Sequence, residues 1–119
     1  MCGITGIVYP KAASIINAMT DAISHRGPDD SGIYSDGNLN LGHRRLSIQD
    51  LSSNGHQPMS TEDNRYCIVF NGEIYNHFEI REGLKDKYTF KSSSDTETIL
   101  YGYSEYGVEL FNKLNGILR

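Results

Sequence analysis

The chain runs straight into a strand. After Met1 the sequence reads Cys2-Gly3-Ile4-Thr5-Gly6-Ile7-Val8-Tyr9, apolar and β-branched, and Pro10 stops it. That pattern predicts a buried strand over Cys2–Tyr9 and commits the N-terminus to a sheet. It also puts a thiol at the head of the strand. Initiator methionine is trimmed when the next side chain is small, and cysteine qualifies. Cys2 would then carry both a thiol and a free α-amine. An α-amine has a reference pKa of about 8, so part of it is neutral at pH 7 and can act as a base. A thiol with its own base is an activated nucleophile. The alternative is that Cys2 is a chance residue at the start of a strand.

With 119 residues the chain makes one domain at most. No apolar run approaches membrane-spanning length, and the start lacks a basic-then-apolar leader. The net charge of −4, without a Lys/Arg cluster, argues against a nucleic-acid partner. The two cysteines, Cys2 and Cys67, have no zinc spacing, and a reducing, cytoplasmic location fits them. Cys67 is expected in the core. His25, His43, His56 and His77 lack metal-ligand spacing and are expected to be solvated or hydrogen-bonded. No metal site is expected.

Lys11–Ser24 carries Ile15, Met19 and Ile23 four residues apart with Ile16 beside them, which predicts an amphipathic helix ending near Gly27-Pro28. Ser24–Ser31 is expected as a structured loop. Ile33–Ser35 and Leu39–Ile48 are predicted strands joined by the turn Asp36-Gly37-Asn38. Gln49–Asn64 is long, irregular and polar, as binding loops are. Tyr66–Phe70 is a predicted strand broken by Asn71-Gly72-Glu73. Asn76–Lys87 is a predicted helix. Asp95 is expected to cap a helix over Thr96–Tyr106 that Gly107 ends, with another turn or two over Glu109–Leu114. The fold class is α+β, with no repeat and no internal domain boundary.

Three segments carry candidate chemistry. Gly72 allows a backbone amide to approach a ligand closely, and Asn71 adds a side-chain NH₂ donor. Together they suit the oxyanion of an acyl-transfer intermediate, or else form an ordinary Asn-Gly turn. Strand alternation sends Arg44 and Arg45 to opposite faces, so one guanidinium can point inward. A substrate α-carboxylate would satisfy it, or a surface ion pair would. Asp95, if it also faces the cleft, can pair with an ammonium group, and Glu73 can assist.

In five stretches the chain resembles the glutamine-hydrolysing domain of class II glutamine amidotransferases, and most of all the asparagine synthetase branch. These are MCGITGI at 1–7, SHRGPDDSG at 24–32, GHRRLSIQDLS at 42–52, FNGEIYNH at 70–77 and SSSDTETIL at 92–100. They keep the family's order and spacing over nearly the whole chain. The resemblance implies an N-terminal nucleophile hydrolase fold, a four-layer αββα sandwich. It implies that Cys2, freed of Met1, attacks the side-chain amide of L-glutamine, with its own α-amine as base and then acid. It assigns the oxyanion hole to Asn71 and Gly72, the glutamine α-carboxylate to Arg45, the α-amine to Glu73 and Asp95, and pocket-lining backbone to Ile48 and Gln49. No cofactor is implied for that step.

After Leu114-x-Gly116 the family continues into further strands of the same domain. By that comparison residues 1–119 are the N-terminal part of an amidotransferase domain, incomplete at the C-terminus. The sequence holds no pyrophosphate loop, so ATP and Mg are expected only in an absent synthetase domain that would receive the ammonia. Two functional expectations result. One is a glutaminase delivering ammonia to an acceptor carboxylate such as aspartate. The other is a non-catalytic glutamine-binding or regulatory remnant.

Overall fold

A computed structural model describes residues 1–48 and 50–118. The element order is β1 (Gly3–Val8), α1 (Ala13–Ala22), β2 (Asp30–Asp36), β3 (Leu39–Arg45), β4 (Met59–Ser60), β5 (Cys67–Ile68), β6 (Glu73–Ile74), α2 (His77–Glu82), α3 (Asp95–Tyr106) and β7 (Gly116–Ile117). Short 3₁₀ turns at Ser24–Arg26, Ser53–Gly55 and Gly107–Asn112 join them. The fold is α+β. β3 lies at the centre of an antiparallel sheet of order β1-β3-β2, and β4-β5 and β6-β7 form two further antiparallel pairs.

β1 forms where the apolar run predicts it but is not buried throughout: Ile4 and Val8 are exposed. Only one of its faces is covered by α1. Thr5 Oγ1 lies 2.9 Å from Thr20 Oγ1 across that contact. A side chain on Gly42 would collide with both threonines, so glycine lets α1 settle on the sheet. The helix starts later than predicted, at Ala13, because Lys11 has a positive φ of 59°, and it ends at Ala22, short of the predicted Ser24, ahead of the 3₁₀ turn Ser24–Arg26. Its buried stripe runs through Ala12, Ile16 and Thr20, while Ile15 is exposed. Spacings of four residues put those three on one face just as they would Ile15, Met19 and Ile23, and contact with the sheet selects between the two stripes.

β2 and β3 meet through the two-residue turn Gly37-Asn38, with Gly37 at a φ of 56°. β3 stops at Arg45, three residues short of its predicted end. Its carbonyl accepts from Asp29 N–H (3.1 Å), and Ser47 N–H turns to Asp29 Oδ2 (2.8 Å). The Gly27-Pro28-Asp29 loop thus ends the strand and steers the chain away from the sheet.

The principal core joins Phe70, Ile74, Ile99 and Leu110, with Ile68, Ile80, Tyr103, Tyr106 and Leu114 around it. α3 lies against α2, β4 and β5, and its first eight residues are buried. Its cap is Ser94, whose Oγ accepts from Thr96 N–H (3.1 Å), and not Asp95, which is the first helical residue. Gly107 ends the helix at a φ of 57°, as its sequence position predicts. α2 stops at Glu82, ahead of the predicted Lys87, because Gly83 and Leu84 turn to carbonyls three residues back. Cys67 is half-buried, and burial pushes its thiol up. Among the described residues no helix is long and apolar enough to cross a membrane.

Candidate active site

The predicted site residues meet in one cleft of about 190 Å³. Cys2, Arg45, Ile48, Asn71, Gly72, Glu73 and Asp95 all line it. Gln49, the remaining predicted residue, lies outside the described residues. The pieces come from the head of β1, the end of β3, the break after β5, β6 and the first turn of α3.

β3 brings its end beside Cys2, because β1 and β3 pair from Gly3↔Arg44 onward. Cys2 Sγ accepts from Leu46 N–H (3.4 Å) and lies 3.7 Å from Leu46 O. Both are weak sulfur contacts that fix the thiol without occupying it. Met1 is exposed at the cleft margin and acylates the Cys2 nitrogen.

The register also separates the two arginines. Arg44 faces α1, donating to Thr20 O (3.0 Å) and pairing with Asp21. Arg45 faces the cleft and is 8% exposed, donating to Ser52 O (2.8 Å) and to Asp50 O. Its partners are neutral carbonyls, so its charge is not neutralised by any described residue. Gly55 makes this placement possible, since a side chain there would sit 2.2 Å from Arg45 Nη2.

Asn71 is buried beside Gly72. A side chain on Gly72 would stand 2.1 Å from Ile117 O and 2.7 Å from Phe70 Cζ, so only glycine fits between β7 and the Phe70 ring. Asp95 is 5% exposed and accepts from Ile74 N–H (2.9 Å). Burial raises its carboxyl above the ordinary value, and nearby Glu73 adds to that rise. A cation entering the cleft would oppose that rise by favouring the charged carboxylate. Among the described lining residues Arg45 is the sole cationic side chain, facing the carboxylates of Asp50, Glu73 and Asp95. Those of Asp50 are engaged by Ser52 and Ser93. Such a charge pattern suits a zwitterion, with its carboxylate at Arg45 and its ammonium at the acids.

Gln57, Ser94, Thr96 and Ile117 also line the cleft and escaped the sequence reading. Pro58 beside Gln57 marks a turn but says nothing of an inward amide. Ile117 arrives only because β7 pairs with β6.

Behind the cleft His43 is fully buried, its Nε2 3.2 Å from Phe70 O and its Nδ1 without a described partner. Burial lowers its pKa from 6.5 to about 4, outweighing the Phe70 carbonyl and Asp30, which favour the charged form, while His56 and Arg45 oppose it. The fold therefore favours neutral His43. That stability is fully present above pH 6.5 and is lost as the pH falls toward 4. Two and a half pKa units correspond to about 3 kcal/mol. In denaturant titrations from pH 7 to pH 4, His43→Gln is expected to lose less stability than wild type. Parallel losses would refute this role for His43.

A family model described as a glutamine amidotransferase domain matches residues 1–118, and the chain belongs to that family. Within it the chain is similar to asparagine synthetases. It is 46% identical over 125 residues to asparagine synthetase (glutamine-hydrolyzing) 1 of Bacillus subtilis (strain 168), covering 98% of this chain and 20% of that protein. It is 40% identical to asparagine synthetase (glutamine-hydrolyzing) 1 of Arabidopsis thaliana, covering 98% and 20%, and 38% identical to asparagine synthetase B (glutamine-hydrolyzing) of Escherichia coli (strain K12), covering 98% and 22%. The chain spans about a fifth of the length of these relatives.

Proposed function

We propose that this chain is the glutaminase part of an asparagine synthetase-like enzyme, hydrolysing the side-chain amide of L-glutamine to glutamate and ammonia. The observation that carries this is the convergence of Cys2, Asn71-Gly72, Arg45 and Asp95 on one cleft. With Met1 removed, the α-amine of Cys2 takes the thiol proton, and the sulfur attacks the amide carbon. Asn71 Nδ2 and the Gly72 N–H receive the oxyanion. The same amine protonates the departing ammonia, and water then releases glutamate from the thioester. Arg45 holds the α-carboxylate, Glu73 and Asp95 hold the α-ammonium, and the backbone at Ile48 and Gln49 borders the pocket.

The ammonia passes to a synthetase domain or subunit for transfer to an acceptor carboxylate such as aspartate, whose amidation gives asparagine, the product in the names of the relatives. ATP and Mg belong to that synthetase part. Among the described lining residues Arg45 is the only cationic side chain, which suits one carboxylate better than a triphosphate. The proposal places the reaction in the cytoplasm and the chain in the four-layer αββα architecture. α1 on the β1-β3-β2 sheet and α3 on β4 and β5 support that layering.

The test compares mature protein with protein in which Met1 is retained, each verified by intact mass. Glutamate release is expected only from the trimmed form, because the lone pair of an acylated Cys2 nitrogen is delocalised into the carbonyl and is not basic. Equal release by both forms would remove the α-amine from the mechanism.

A further inference from the structure

Phe70, the residue before Asn71, has left the sheet. The β5 ladder ends at Ile68. Phe70 N–H donates instead to Gln57 Oε1 (2.6 Å), and its carbonyl lies 3.2 Å from His43 Nε2. The other end of the Gln57 amide donates through Nε2 to Thr96 Oγ1 (3.1 Å), in the first turn of α3. Four residues beyond Phe70, Ile74 N–H donates to Asp95 Oδ2 (2.9 Å), on the same turn. The segment Phe70–Ile74 is therefore hung at both ends from two successive residues of α3, directly at Ile74 and through Gln57 at Phe70.

We propose that Gln57 is a positioning residue whose side-chain amide fixes the Asn71-Gly72 oxyanion donors relative to Asp95. This rests on the glutaminase reading above. Gln57 is 6% exposed, and both its polar atoms are committed to the protein. Water has little access to replace either bond, so loss of the amide frees the segment instead of hydrating it. Its acceptor faces a backbone N–H and its donor a hydroxyl. A side chain of equal size without that polarity fills the space and leaves Phe70 untethered.

The experiment uses mature full-length protein. Gln57→Leu is expected to lower kcat for glutamine by about 10–100-fold, less than removing an oxyanion donor outright, with KM changed less than about threefold. Alkylation of Cys2 by iodoacetamide, which needs neither oxyanion hole nor ammonium site, is expected to stay within about twofold. Amide exchange at Phe70 is expected to accelerate at least about tenfold. Gln57→Glu retains an acceptor for Phe70 N–H and is expected to recover its protection and part of kcat. If Gln57→Leu does not fold, Thr96→Val releases only the α3 end, and a kcat loss reversed by Thr96→Ser carries the same test. Unchanged kcat and unchanged Phe70 protection beside an active wild type overturn the inference. A wild type that protects Phe70 yet releases no glutamate overturns the functional reading instead.

Discussion

Mature protein carrying Cys2→Ala is expected to release glutamate from glutamine at no more than about 10⁻⁴ of the wild-type rate, as loss of a catalytic nucleophile does elsewhere. Alanine keeps the α-amine but has no atom able to form the thioester. No substitute thiol is at hand, because Cys67 lies on β5 and does not line the cleft. Folding is expected to survive. Cys2 Sγ gives up only two long contacts to Leu46, so the stability change is expected to stay within about 1 kcal/mol. Glutamate assays and thermal unfolding on the same preparation separate chemistry from folding. Turnover at the wild-type rate would end the thiol mechanism. Calorimetry decides the competing reading of a binding remnant, in which wild type and variant bind glutamine equally and neither turns it over.

Arg45→Leu is the second large effect, and it is expected in KM. An α-carboxylate is held alike in ground and transition states, so its loss weakens binding while kcat changes little. Two charge-assisted hydrogen bonds are worth about 3–5 kcal/mol together, a rise in KM of about 10²–10⁴-fold. Arg45→Lys is expected to recover little, since an ammonium cannot reproduce the planar fork. The variant also strands the Asp50 and Ser52 carbonyls, at a cost of about 1–3 kcal/mol. A loop disturbance alone would raise KM without changing selectivity. The decisive readout is therefore the preference for glutamine over glutamine whose α-carboxyl is blocked as an amide. Wild type is expected to discriminate strongly and the leucine variant weakly. Undiminished discrimination in the variant would free Arg45 from this role.

The elements legible in the sequence are those decided by local pattern. β1, the β2–β3 hairpin, α1 and the Gly107 stop arise from alternation, helical spacing and glycine. The departures turn on hydrogen bonds between distant segments. The strand expected over Tyr66–Phe70 pairs only at Cys67–Ile68 because Gln57 and His43 take the polar groups of Phe70. β3 is cut short by Asp29, sixteen residues earlier in the chain than Arg45. Ser94 caps α3 while Asp95 turns inward to Ile74, a choice the Ser-Asp pair leaves open. For the site, chemistry and motif resemblance indicated the residues that face the cleft. Gln57 gave no signal because its role exists only once Phe70 and Thr96 lie on either side of it.

The pairing of β3 has a consequence for how such a chain can vary. Arg44 anchors α1 and Arg45 serves the cleft, and they differ only in the parity of their position along one strand. The turn at Gly37-Asn38 acts as the origin of that count. A single-codon insertion or deletion there that shifts the strand by one residue would turn each guanidinium to the opposite face, taking Arg44 from the helix and Arg45 from the cleft together. Length at this distant turn is thus expected to be constrained together with the chemistry of the cleft. Drift is expected to alter its residue types while preserving their number.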